Sequence, residues 1–159
     1  MNAFTIRAFA PSDGEAVADL HRRAILATSE GHYTLAERES WAFGLRPDLY
    51  APPNGSIMEV AARDDGRPIG FCHSTRDEIL GLYVDPDWQG RGVGSALLVR
   101  AEAMILGRGY TAAKVTATTS ARPFYEARGY RFVAEHPHKT RGGLILRAVT
   151  LEKAIVTSR

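Results

Sequence analysis

Around residue 89 the chain changes its hydrophobic period. Ile79-Leu80-Gly81-Leu82-Tyr83-Val84 is an apolar run of strand length, Ser95-Ala96-Leu97-Leu98-Val99-Arg100 is helical in pattern, and Gln89-Gly90-Arg91-Gly92-Val93-Gly94 lies between them. A strand, a short glycine turn and a helix in that order bring several backbone N–H groups to one spot. The spot lies at the positive end of the helix dipole, and glycines leave no Cβ atoms in the way of a phosphate. The same glycines would also permit a tight turn with no ligand. Each, however, weakens a helix start by about 1 kcal/mol relative to alanine, which favours a ligand as their reason. The segment predicts a site for a phosphorylated cofactor.

What the turn lacks narrows the choice. A P-loop requires a lysine after its second glycine, and no lysine lies between Arg67 and Lys114. A dinucleotide fingerprint counted from Gly90 needs glycine where Ser95 stands, and counted from Gly92 it needs glycine where Leu97 stands. Nucleoside triphosphates and NAD are both disfavoured.

The pattern Gln89-x-x-Gly92-x-Gly94 resembles the acetyl-CoA signature of the GNAT superfamily of N-acetyltransferases, and the resemblance extends along the chain in order. Leu82-Tyr83-Val84-Asp85-Pro86 resembles the end of the family's fourth strand. Ala121-Arg122-Pro123-Phe124-Tyr125-Glu126-Ala127-Arg128-Gly129-Tyr130 resembles its Ala-x-x-x-Tyr-x-x-x-Gly-aromatic segment. One departure is Thr118, seven residues before the tyrosine, where many members carry asparagine.

The resemblance implies a mixed α/β (α+β) fold with a mostly antiparallel sheet whose parallel central strands splay around acetyl-CoA. It implies that Leu82, Tyr83 and Val84 meet the acetyl and pantetheine groups. Gln89, Gly90, Arg91, Gly92, Val93, Gly94 and Ser95 would hold the pyrophosphate, with Phe124 and Tyr125 beside them. It places Tyr125 as the acid that protonates the departing thiolate, and the Leu82 N–H, if freed from the sheet by a bulge, as the oxyanion donor. Glu78 is placed as the base that prepares the amine, and His32, Tyr33, Trp41 and Tyr50 sit in the acceptor-binding segment. Dimerisation is common in this superfamily.

Plainer roles stand beside these. Glu78 is also readable as a solvated strand-end carboxylate, with Asp77 as a rival, and Tyr125 as a packing aromatic. The acceptor-segment aromatics are readable as ordinary packing under a long loop. Strict alternation would put Glu78 on one face with Leu80 and Leu82. His136-Pro137-His138 lacks further ligands for a metal and reads as loop; helices one and two and the loop from His136 to Gly143 are expected to shape the acceptor pocket.

A chain of 159 residues, 45% hydrophobic and 24% charged, suits a single domain with a real core, spanning 1–159. No apolar run is long enough for a bilayer, and no secretory signal is evident. The lone Cys72 suits a reducing cytoplasm. A net charge of +2 with scattered basic residues implies no nucleic acid and no membrane partner.

Turn and cap signals fill in the rest. Ser12-Asp13-Gly14-Glu15 and Thr34-Leu35-Ala36-Glu37 read as capping boxes before two helices. A loop over 46–56 precedes a strand over 58–63, and Asp64-Asp65-Gly66-Arg67 turns it back into 68–74. Strands are expected over 78–84 and 113–116, parallel across a helix over 92–106. Ser120 is expected to cap a helix through Arg128, followed by paired strands over 131–134 and 144–151. The resulting expectation is acetyl transfer to the primary amine of a small molecule by direct attack. The alternatives are a protein or peptide N-terminus as acceptor, or a non-catalytic acyl-CoA sensor.

Overall fold

A computed structural model describes residues 3–28, 31–52 and 55–156. Pro53 and Asn54 of the loop expected over 46–56 lie outside these, as do Met1 and Asn2 of the amino-terminal segment. The chain runs β1 (Phe4–Ala8), α1 (Gly14–Leu26), α2 (Leu35–Ala42), β2 (Ser56–Arg63), β3 (Pro68–Thr75), β4 (Glu78–Val84), α3 (Val93–Gly107), β5 (Ala112–Thr118), α4 (Arg122–Glu126), β6 (Arg131–Lys139) and β7 (Ile145–Ala154).

All seven strands share one sheet in the order β1-β2-β3-β4-β5-β7-β6. Neighbours are antiparallel except β4 and β5, which are parallel because α3 carries the chain back across the sheet. These two pair only at Glu78 with Lys114 and at Ile79 with Val115. Beyond Ile79 they diverge, and the divergence opens the sheet at its centre.

The two faces of the sheet carry different cores. One cluster joins Ile69, Cys72, Ile79, Ala113, Val115 and Leu151 of the strands to Val93, Leu97, Leu98 and Ile105 of α3 and Tyr125 of α4. The apolar residues of α3 recur at helical spacing, so one stripe meets the sheet. Leu97 is 1% exposed, and its truncation to alanine would cost about 2–5 kcal/mol. The opposite face packs Val17 and Leu20 of α1 against Met58, Val60 and Phe71.

A bulge in β4 revises the expected alternation. Gly81 opposes His73 and Ile79 opposes Ser74, so Leu80 is an extra residue. Ile79 and Leu82 therefore both pack into the α3-side core although three residues apart. Glu78 and Leu82 do not share a face, as strict alternation required. Glu78 falls on the α1 side, with Tyr83.

Three local expectations also change. Ser12 does not cap α1: the Asp13 carboxylate accepts the Ala10 N–H at 2.8 Å and two bonds from the Arg7 guanidinium at 2.7 and 2.9 Å. Ser120 does not cap α4, because its Oγ pairs with Thr118 Oγ1 at 2.9 Å and a 3-10 turn over Thr119–Ala121 leads into the helix. His136-Pro137-His138 belongs to β6, opposite Ala148, Arg147 and Leu146. β6 is the edge of the sheet, where a proline's missing N–H can face solvent without breaking a ladder. The Thr34 capping box forms as read, with Glu37 N–H to Thr34 Oγ1 at 3.1 Å and Thr34 N–H to Glu37 Oε1 at 2.9 Å.

Candidate active site

Three adjoining cavities follow the opening between β4 and β5. A groove of about 510 Å³ lies on the α3 side and a chamber of about 420 Å³ on the α1 side. A junction of about 140 Å³ shares lining residues with both, and Trp41 and Tyr83 line all three.

The groove is built largely from backbone. Gly90 and Gly92 have φ of +76° and +84°, conformations in which a side chain is strained, and Gly92 is the N-cap of α3 with no side chain capping the helix. The first N–H groups of α3 thus remain available to an anion. A Cβ on Gly94 would meet the Phe124 ring at 3.3 Å, so a side chain there would make the ring give by a few tenths of an ångström. The turn is fastened from outside: Arg23 of α1 binds the buried Asp85 carboxylate at 2.9 and 2.6 Å, and Asp85 accepts the Asp87 N–H at 2.9 Å. The Arg23 hydrogen bond holds Asp85 below the usual carboxylate range.

Leu82, Tyr83, Val84, Gln89, Gly90, Gly92, Val93, Gly94, Ser95, Phe124 and Tyr125 all line this groove. Arg91 does not: its guanidinium lies 4.8 Å above the Trp88 ring. Arg128, which the sequence reading left out, also lines it. It donates to Ser95 Oγ at 2.8 and 3.0 Å and to the Phe124 carbonyl at 2.8 Å, tying α4 to the start of α3. Its position just before Gly129 was the available signal.

Tyr125 is buried where groove and junction meet, and its hydroxyl makes no hydrogen bond to another described residue. Burial pushes that hydroxyl well above the usual phenol range, so it keeps its proton. Leu82 lines the same meeting point, on the part of β4 that has left β5. Glu78 lies at the closed end of the splay, lines none of the three cavities, and accepts from Thr116 Oγ1 at 3.1 Å. Thr116 does line the junction, so one hydroxyl separates Glu78 from it. Thr118, the departure noted above, lines both groove and junction.

Residues 55–132 match the acetyltransferase (GNAT) domain family. The chain is 30% identical over 128 residues to a peptidyl-lysine N-acetyltransferase, YjaB, of Salmonella typhimurium, covering 79% of this chain and 82% of that one. It is 28% identical over 145 residues to an uncharacterized N-acetyltransferase, YafP, of Escherichia coli, covering 89% and 91%. A GCN5-related N-acetyltransferase structure from Rhodopseudomonas palustris superposes with a TM-score of 0.86 at 26% identity, over 97% of both chains. The chain belongs to the GNAT acetyltransferase family.

This acetyltransferase departs most from simple expectation in its chamber. Of the acceptor-segment residues, Trp41 and Tyr50 line it, Tyr33 lines only the junction, and His32 is exposed outside all three cavities. The Tyr33 hydroxyl is fully engaged, donating to the Arg147 carbonyl at 2.7 Å and accepting the Thr119 N–H at 2.9 Å. Tyr33 is thereby a strut that pins the start of α2 to the ends of β5 and β7.

His21, His73 and the turn from His138 to Arg141 complete the chamber. The His21 Nδ1 lies 2.9 Å from the Tyr50 hydroxyl. Burial, with the nearby positive charges of Arg141 and Arg22, brings His21 down to about 3, and burial lowers His73 too, so His21 is neutral near pH 7. Burial likewise raises the Tyr50 hydroxyl to about 12. The β6–β7 turn is latched to α2: Ser40 Oγ pairs with Thr140 Oγ1 at 2.6 Å, and the Ser40 carbonyl accepts the Gly142 N–H at 3.1 Å.

Among the described residues no group of three or more His, Cys, Asp or Glu is arranged to hold a metal ion. No described helix is long and apolar enough to cross a membrane.

Proposed function

We propose that the enzyme moves an acetyl group from acetyl-CoA to the primary amine of a small molecule by direct attack in a ternary complex. The observation that carries this reading is that Tyr125 and Leu82 line both groove and junction, while Tyr83 and Trp41 line these two and the chamber as well. The pyrophosphate of the cofactor lies on the first turn of α3, and its pantetheine arm follows β4 to the junction. The amine comes from the chamber. As nitrogen attacks the thioester carbon, the Leu82 N–H takes the developing oxyanion. The C–S bond then breaks, Tyr125 gives its proton to the thiolate, and the surplus proton on the new amide nitrogen returns to the tyrosinate through water.

The proton on the arriving ammonium must leave before attack. Glu78 receives it through the Thr116 hydroxyl or a water rather than by contact. A covalent acetyl-cysteine route is disfavoured by the position of Cys72. It is buried in the α3-side core, and burial raises its thiol to about 12, so almost no thiolate exists near pH 7.

Two experiments test the reading. Release of CoA thiol should depend on an added primary amine. Acetyl-CoA at a hundredfold excess over its Kd should add about 2.7 kcal/mol of stability, whereas ATP and NAD should add little. Equal melting shifts from ATP and acetyl-CoA would remove the cofactor assignment.

A further inference from the structure

Among the described residues no aspartate or glutamate lines the groove, the junction or the chamber. The chamber does carry Lys139 and Arg141, and the junction carries Arg147. Among the described residues none of these three cations has a carboxylate partner. By contrast Arg128, the cation of the groove, is held by Ser95 and the Phe124 carbonyl.

The positive charge belongs to these long side chains and not to the His21 imidazole. His21 is neutral, as shown above. Arg141 is exposed and lines the chamber beside His21, Tyr50 and Tyr83, and its positive charge reaches all three. The turn that presents Lys139 and Arg141 is fixed rather than loose, because Thr140 between them is buried against Ser40.

We infer that the acceptor is a primary amine that also carries a carboxylate, which Arg141 and Lys139 bind at the chamber mouth while the amine reaches the junction. The inference rests on the acetyl-transfer reading above and names the acceptor class of that same site. Unpaired cations in a concave site attract an anion, and a guanidinium matches a carboxylate in two-pronged geometry. A second ammonium on the acceptor would meet like charge with no carboxylate to receive it. Diamines and other polycationic amines are therefore the disfavoured class. A chamber of about 420 Å³ suits a molecule of amino-acid size.

The test uses primary amines of similar length: an α-amino carboxylate, 4-aminobutanoate, n-butylamine and 1,4-diaminobutane. kcat/KM is measured by CoA thiol release, and Kd by calorimetric titration into the CoA-saturated enzyme. At least one amino carboxylate should exceed butylamine by roughly tenfold or more in one or both quantities, with the diamine last. Arg141→Gln should reduce that preference by roughly tenfold, while its melting shift with acetyl-CoA shows that the fold is kept.

Equal or better binding and turnover of the diamine or of butylamine would overturn the inference, as would an unchanged preference in Arg141→Gln. Failure of the transfer reading looks different. There, no amine releases thiol and acetyl-CoA gives no stabilisation, and the order of amine Kd values still decides the acceptor class.

Discussion

The groove and the chamber sit on either side of the same strand, β4, yet they are specified in opposite ways. The groove comes mostly from one continuous stretch, β4 through the start of α3, and presents backbone N–H groups whose aim is set by φ angles at Gly90 and Gly92. The chamber is assembled from α1, α2, β3, β4 and the β6–β7 turn, and its chemistry is carried by side chains. A backbone site on consecutive residues tolerates few sequences. A side-chain site spread over distant segments can be rewritten one residue at a time. The difference accounts for sequence motifs that lie on the cofactor side, at residues 82–94 and 121–130, while the acceptor side has none of comparable specificity.

The largest break should come where the two regions touch. Tyr125→Phe removes only the hydroxyl and keeps the ring's edge-on contacts with Phe124 and Tyr130. If the hydroxyl is the acid, kcat and kcat/KM should fall together by about 10²–10⁴-fold, with the Kd for acetyl-CoA within about threefold. Wild-type kcat in a folded sample refutes the acid role.

Gly92→Asp strikes the groove alone. At φ +84° it strains the N-cap and puts bulk and negative charge against the pyrophosphate. The expected result is loss of the roughly 2.7 kcal/mol acetyl-CoA stabilisation, read by thermal melting.

Gly142→Ala is the counterpart for the chamber. A Cβ there would lie 2.5 Å from Ser40 Oγ and 2.7 Å from the Ser40 carbonyl oxygen, so the turn must lift from α2. Its cost should be about 1–3 kcal/mol, with KM for the amine raised and acetyl-CoA Kd unchanged. Cofactor affinity falling as much as amine affinity would show that the two regions are not separable.

Glu78→Gln should cost about tenfold in turnover at neutral pH, less than a contacting base, with partial recovery at high pH as more amine arrives deprotonated. An unchanged pH–rate profile removes Glu78 from the mechanism.

The smallest effect concerns the fastening of the turn. Asp85 has a depressed folded-state pKa, so the stability it contributes is complete above its unfolded value near 3.9 and is lost as pH falls through the folded value. Acid titration of wild type should show this loss, and Asp85→Asn should flatten it. An identical acid limb in the variant would mean that the Arg23 contact contributes nothing to it.

How much of this was legible in the sequence follows the same division. The alternation of apolar residues, the glycine spacing and the Tyr125 segment gave β4, α3 and all but Arg91 of the expected groove, because each signal is local. A bulge near Leu82 was invoked for its N–H, but its position at Leu80 was not legible, since that depends on which residue of β3 pairs with Gly81, and it reverses the face on which Glu78 falls. Ser12 and Ser120 read as caps because serine often is one. Here Arg7 makes Asp13 the better acceptor, and Thr118 claims Ser120. The chamber was legible in its segments, the first two helices and residues 136–143, but not in its chemistry beyond Trp41 and Tyr50, because His21, His73 and Arg141 meet only after the sheet has formed.

The central claim, that cofactor and amine occupy groove and chamber together and react across the junction, is tested most directly by initial rates with acetyl-CoA and amine varied against each other. A ternary complex predicts intersecting double-reciprocal lines and no acetyl group on the protein after incubation with acetyl-CoA alone. Parallel lines, with an acetylated enzyme detected by intact mass, would contradict it.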